Sequence, residues 1–186
     1  VMNGKCMNAG QICLSPDYVF VQKERQGELV AALRDTVATM YDGLRDNPDY
    51  TSVINERHRK RVQGYLDDAR QKGAELIELN PKSESFEGQV INKMPPTLVL
   101  HATDDMAIMK EEIFGPAMPV RTYETIDEVI ATAQKSLALF DYTLDQRGYG
   151  NPARIEKLRH FLLAGRAHRI RIALHEHELL ERHEPR

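Results

Sequence analysis

Short β-branched and aromatic runs, each separated from the next by a segment with helical apolar spacing, constrain this chain more than any other feature. Tyr18-Val19-Phe20-Val21 is bounded by Ser15-Pro16-Asp17 before it and by charge after it, and reads as a buried strand. From Gln26 to Met40, Leu29, Val30, Leu33, Val37 and Met40 recur on one helical face, with Glu28, Arg34 and Asp35 on the other. A second helix is predicted from Asn55 to Lys72, with Val62, Leu66 and Ala69 as its stripe and Gly73 closing it. Glu75 to Leu79 and Thr97 to Leu100 read as strands, and a short helix is expected around Asp105 to Lys110. Gly115-Pro116 must turn the chain, because the residue before proline avoids helical geometry. Met118-Pro119-Val120 resumes extended structure, its proline favouring a strand end or edge. Thr125 caps a helix to about Lys135, with Glu128 in the capping-box position. Strands alternating with helices predict an α/β layer fold.

At 186 residues the chain suits one domain with a sizeable core. Its net charge of -3 argues against nucleic acid or an anionic membrane recognised by bulk charge. No window approaches the ~18 consecutive apolar residues of a membrane helix, and Val1 to Lys5 has no signal-peptide shape. The two cysteines, Cys6 and Cys13, are too few and too close to staple a fold, so a reducing, cytoplasmic setting is expected. A start on Val1, almost directly at a Gly/Asn/Gln segment, is what a piece of a longer protein would show. From Arg166 to Arg186 the pattern changes: there is no glycine, arginine is the only strong base, and His168, His175, His177 and His183 crowd together. No strand-turn pattern is expected in that tail. His175 and His177 are not a helical i, i+4 pair, and no metal site is expected.

Two short segments carry chemical content. In Asn8-Ala9-Gly10-Gln11-Ile12-Cys13, a cysteine follows a Gly-Gln turn and precedes a strand. There it is either a nucleophile among backbone N–H groups that lower its pKa and receive an oxyanion, or a buried structural thiol, the commoner fate of the residue type. Cys6 is read as structural. In Lys110-Glu111-Glu112-Ile113-Phe114-Gly115-Pro116, two carboxylates precede an aromatic at a forced turn. They are either solvent-facing charges with one core ring, or a carboxylate and a ring in a ligand cleft, the one accepting hydroxyl hydrogen bonds and the other packing on a planar cofactor.

Taken in order, Asn8-Ala9-Gly10-Gln11-Ile12-Cys13 with Pro16-Asp17-Tyr18-Val19 resembles the nucleophile segment of the aldehyde dehydrogenase superfamily. Glu111 to Pro116 resembles its cofactor-contacting Glu-x-Phe-Gly-Pro motif. Tyr50 to Arg61, between them, is similar to the coniferyl-aldehyde and fatty-aldehyde branch. The resemblance runs from Gly4 to Leu139 and continues more weakly towards Gly165. It implies Cys13 as the nucleophile, its own N–H an oxyanion donor, Glu112 at the nicotinamide-ribose hydroxyls and Phe114 beside the nicotinamide of NAD or NADP. The implied reaction is oxidation of an aldehyde, aromatic such as coniferyl or fatty, through a cysteine thiohemiacetal and a thioester that water opens.

The resemblance also implies what is missing. The family's dinucleotide-binding domain, with the oxyanion-hole asparagine and the glutamate that activates water, precedes the cysteine; here Val1 does. Residues 1–165 are therefore expected to be a catalytic-domain fragment of the three-layer α/β fold, inactive alone. Residues 166–186 are expected to be a divergent, disordered or out-of-frame tail, which removes the usual oligomerisation strand and leaves the family's homo-oligomer in doubt for this chain. Two other readings stand beside this one: a non-catalytic fragment or interaction module, and a thiol hydrolase pairing Cys13 with His58.

Overall fold

In the computed structural model, residues 1–132, 136–141, 150–165 and 169–174 are described. The chain divides into two compact units, Val1–Thr122 and Tyr123–Arg186.

The first unit is built on a four-stranded sheet of order β1-β4-β3-β2: β1 Val19–Gln22, β2 Glu75–Glu78, β3 Thr97–Leu100 and β4 Ala117–Tyr123. β2 runs antiparallel to β3, Glu75 opposite Leu100; β3 and β4 are parallel, Thr97 opposite Ala117. All four residues of β3 are buried, as a central strand covered on both faces requires. Its side chains alternate between two apolar clusters. Leu98 and Leu100 pack with Val30, Leu33 and Val37 of α2 (Gln26–Met40), while Val99 packs with Val62, Leu66 and Ala69 of α3 (Glu56–Gln71). A helix on each face of the sheet gives the expected α/β layering.

The α2 boundaries coincide with the periodic segment, and α3 begins one residue after its cap, Asn55, whose Oδ1 accepts the His58 N–H at 2.9 Å. Gly73 ends α3 with φ +94°, a conformation open to glycine. The expected helix at Asp105 to Lys110 is a single 3₁₀ turn, Ala107–Met109. Pro119 departs from expectation. It lies inside β4, between β1 and β3 and opposite Val99, rather than at an edge. The chain before β1 forms a short helix, α1 (Met2–Cys6), which delivers the Cys13 loop.

In the second unit, α4 (Ile126–Thr132) starts where Glu128 reaches back, accepting the Thr125 hydroxyl at 3.0 Å and the Glu124 N–H at 3.2 Å. The continuation expected to Lys135 lies outside the described residues. Three elements here were not anticipated. β5 (Ser136–Asp141) pairs in parallel with β6 (Arg169–Leu174), Ser136 opposite Arg169, and α5 (Pro152–Leu163) intervenes. β6 corrects the expectation of a tail without strand character, because Ile170, Ile172 and Leu174 alternate with Arg169, Arg171 and Ala173 in the period of a strand. The α5 signals were also present: Asn151 caps it and Pro152 opens it. Asp127 of α4 is held by Arg154 at 3.1 Å and Lys157 at 3.2 Å from α5, which keeps its carboxyl below the ordinary range. Residues 166–168 and 175–186, including three of the tail histidines and His168, lie outside the described residues. No helix among the described residues is long and apolar enough to cross a membrane.

Candidate active site

The cysteine loop owes its shape to three successive residues in the left-handed region: Asn8 at φ +50°, Ala9 at +52° and Gly10 at +74°. Such a conformation costs an L-residue with a Cβ roughly 1–2 kcal/mol, so something must hold Ala9 there. Gln11 does. Its Nε2 donates to Asn8 O at 2.9 Å and to Ser52 O at 3.1 Å, while its Oε1 accepts the Ile54 N–H at 2.9 Å. The carboxamide thus joins the loop to the segment that leads into α3. Beyond it, Ser15 N donates to Ile12 O at 2.9 Å and closes a turn with Cys13 and Leu14 at the tip. Cys13 is exposed there; Cys6, 2% exposed, is buried, and burial pushes its thiol up to about 11. Among the described residues nothing accepts the Cys13 N–H.

The carboxylate turn is held from three sides. Arg61 of α3 donates to the carbonyls of Glu112 at 3.3 Å, Ile113 at 2.7 Å and Phe114 at 3.3 Å. Its guanidinium also lies 5.2 Å from the Tyr65 ring centroid. The Tyr65 hydroxyl donates to Glu111 Oε2 at 2.7 Å, and the Ile113 N–H donates to Asp17 Oδ1 at 3.1 Å. Ile113 is buried at 1% exposure, while Phe114 is 37% exposed with φ +44°, a strained position for a bulky residue. The two carboxylates therefore differ. Glu111 is tied to Tyr65, whereas Glu112 is exposed and its carboxylate has no hydrogen bond or ion pair among the described residues.

The two segments meet at a pair of glycines. A Cβ added to Gly10 would stand 2.3 Å from Gly115 O and 2.8 Å from Gly115 C, closer than any side chain allows. Gly115 in turn lies against α3, where an added Cβ would stand 2.6 Å from Val62 Cγ2. The backbone approach requires glycine at residue 10, and the stiff Val62 side chain crowds out a Cβ at residue 115.

A family model described as "Aldehyde dehydrogenase family" matches residues 1–140. The chain belongs to the aldehyde dehydrogenase family.

Among its curated relatives are a probable coniferyl aldehyde dehydrogenase of Caulobacter vibrioides, 48% identical over 149 residues, and a coniferyl aldehyde dehydrogenase of a Pseudomonas species, 47% identical over 130. These matches take in 78% and 70% of this chain but 31% and 27% of the relatives, so the chain spans under a third of their length. The structure of Staphylococcus aureus AldH in a substrate-bound state is similar with a TM-score of 0.67 and 30% identity, over 95% of this chain and 36% of that one. Betaine aldehyde dehydrogenase of the same organism, solved with NAD+, shares the fold with a TM-score of 0.65 at 24% identity, over 91% of this chain and 33% of that one.

The residues singled out from sequence are thus brought together as segments: Cys13 and the Glu112–Phe114 turn are joined through Gly10, Gly115 and Asp17. His58 is not part of this arrangement. Its ring nitrogen contacts Arg57 at 3.4 Å, and no hydrogen bond joins it to Cys13, so nothing here favours a cysteine–histidine hydrolase. Sequence reasoning missed Gln11, Asp17, Arg61 and the buried Lys5. Gln11 and Asp17 stood in the quoted cysteine segment without an assigned role, and Arg61 left a signal of its own: it precedes Val62 and stands four residues from Tyr65, a cation on the edge of an apolar helical face.

Proposed function

We propose that this chain carries the nucleophile and the nicotinamide-side contacts of an NAD(P)-dependent aldehyde dehydrogenase acting on aldehydes of the coniferyl type, with fatty aldehydes as the second class. The observation that supports it most is the glycine contact that sets the exposed Cys13 loop against the turn bearing Glu112 and Phe114. Identities of 48% and 47% to coniferyl aldehyde dehydrogenases favour the aromatic substrate.

The chemistry follows from what each group offers. The Cys13 thiolate adds to the aldehyde carbon, the C=O π bond breaks, and the oxygen becomes an anion that the unpartnered Cys13 N–H can receive. The carboxylate left free at Glu112 suits ribose hydroxyls, and the exposed Phe114 ring suits the face of a planar heterocycle, so these residues fit a nicotinamide nucleoside. A nicotinamide held there would supply the acceptor for the hydride that turns the thiohemiacetal into a thioester. Water then opens the thioester and frees the Cys13 sulfur. A general base for that step is worth about 10²–10⁴-fold, and among the described residues no hydrogen bond joins the Cys13 thiol to one.

The 186-residue chain is therefore expected to accept acetyl on Cys13 from p-nitrophenyl acetate while producing no steady NAD(P)H from coniferyl or fatty aldehydes. Peptide mapping that finds acetyl elsewhere and none on Cys13 would overturn the nucleophile. Steady NAD(P)H formation would overturn the division of labour. The reading of the chain as a non-catalytic interaction module predicts no Cys13 acylation at all.

A further inference from the structure

Asp17 stands four residues beyond Cys13, partly buried, and its Oδ1 accepts the N–H of Ile113 at 3.1 Å. That bond links positions 96 residues apart. Its donor is the N–H of the residue between Glu112 and Phe114, the two residues read as cofactor contacts. Among the described residues it is the one hydrogen bond between the loop following Cys13 and that turn; the glycine contact beside it is steric.

A second, independent feature lies at the same junction. Lys5 is 1% exposed, and its Nζ has no hydrogen-bond partner among the described residues. Its own carbonyl oxygen borders Gly10, 3.2 Å from where a Cβ would stand. Burying an unpaired ammonium is expensive, and an apolar side chain of the same length would fill the space at no such cost. The charges felt by this ammonium are those of Asp17 and Cys6. Around Asp17, Lys5 from α1 and Arg61 from α3 favour the ionised carboxylate, while Glu112 on the facing turn and burial oppose it. Burial is the largest of these and raises the Asp17 carboxyl above its ordinary value.

We infer that Asp17 is a positioning residue: its carboxylate, with the buried Lys5 ammonium as counter-charge, fixes the Glu112–Phe114 turn in place beside the Cys13 loop. The inference deepens the proposed function and rests on its reading of Cys13, Glu112 and Phe114. A charged acceptor makes the stronger and more directional bond to a backbone N–H. The Ile113 N–H and the Lys5 ammonium both favour the charged acceptor against the burial that opposes it.

The test uses the full 186-residue chain and two readouts. In the first, the Ile113 amide resonance is followed by NMR from acid to neutral pH. It should titrate with Asp17, lose that titration in Asp17→Asn, and titrate at higher pH in Lys5→Met, where the cation is gone. A carboxylate for which Lys5 is not the counter-charge would not move its midpoint in Lys5→Met. In the second, acetylation of Cys13 by p-nitrophenyl acetate should fall about tenfold or more in Asp17→Ala, since small misplacements of reacting groups carry losses of that order. Asp17→Asn, which keeps an oxygen acceptor, should recover at least half of the loss. Hydrogen exchange at Val37, in the core of α2, reports whether Asp17→Ala remains folded; if it does not, the Ile113 titration and the Lys5→Met shift decide alone. A flat Ile113 resonance, or a midpoint unmoved by Lys5→Met, overturns the inference, as does wild-type acetylation in a folded Asp17→Ala chain. If the wild-type chain does not acetylate at Cys13, the proposed function fails instead, and the Ile113 titration still judges Asp17.

Discussion

Replacing Gly10 with alanine tests the contact on which the site depends. The added methyl would stand 2.3 Å from Gly115 O, 2.8 Å from Gly115 C and 3.2 Å from Lys5 O. An ordinary carbon–oxygen contact is about 3.3–3.6 Å, so the two backbones must part by about 1 Å. All three neighbours are backbone atoms, and no rotamer change can relieve the overlap. Residue 10 also sits at φ +74°, where a side chain adds roughly 1–2 kcal/mol of strain. Overpacking of a tight contact adds typically ~1–3 kcal/mol. The sum, about 2–5 kcal/mol, is a large part of the ~5–15 kcal/mol that holds an ordinary domain together. Urea denaturation of Gly10→Ala against wild type reads the loss directly. Gly27→Ala is the control, because Gly27 lies in α2 with nothing within 4 Å of its added Cβ; there alanine should be neutral or stabilising by up to about 1 kcal/mol. Cys13 acetylation should fall together with stability, since the parting displaces the loop that carries the thiol. A Gly10→Ala chain within about 0.5 kcal/mol of wild type, the range of an ordinary surface change, would refute the reasoning.

Brief iodoacetamide treatment of the folded chain should label Cys13 before Cys6, because Cys13 is exposed while burial removes access to Cys6 and pushes its thiol up to about 11; mapping that finds Cys6 labelled first contradicts this. Asn55→Ala should cost about 1 kcal/mol in a urea titration by leaving the His58 N–H without its cap, and Asn55→Asp should restore most of it. Burial lowers Lys5 from 10.5 to about 8, so between those values the unfolded chain binds the extra proton and stability from this group rises with pH. Cys6, raised from 9.0 to about 11, subtracts stability only from about pH 9 upward. The clean window is pH 8 to 9, where wild type should gain about 1 kcal/mol and Lys5→Met should not; urea midpoints equal in slope for the two chains across that window would sink the argument.

Most of the first unit was legible because its elements follow local rules. The α2 stripe, the Asn55 cap and the buried run of β3 each announce themselves within a few residues, and the fold gathers them as their periodicity dictates. The second unit was less legible although its signals existed: the cap at Asn151, Pro152 behind it, and the alternation through Ile170 and Ile172. The composition of that stretch suggested a segment without a fold, yet within β6 Arg169 and Arg171 alternate with Ile170 and Ile172, the period of a strand. Pro119 was misplaced for a different reason. A proline lacks one donor, which argues against an inner strand in general, but nothing in the sequence says which neighbour that N–H would have faced.

The two segments of the candidate site were legible in the sequence and the contacts that hold them were not, and the division has a physical cause. Cys13, Glu112 and Phe114 sit in turns that their own neighbours define. Gln11 to Ser52 and Ile54, Asp17 to Ile113, and Arg61 to three successive carbonyls are bonds across 41 to 96 residues, and no local pattern encodes them. Those long bonds balance a local cost. Of the five non-glycine residues with positive φ among the described ones, Asn8, Ala9 and Phe114 belong to the two segments, and the buried, unpartnered Lys5 stands beside them. A chain selected for stability alone would place glycine at residue 9 and a methionine at residue 5, each relieving strain or desolvation. Local rules broken together, in two segments that the fold presses into contact, mark the place where the chain holds a geometry rather than minimises its energy.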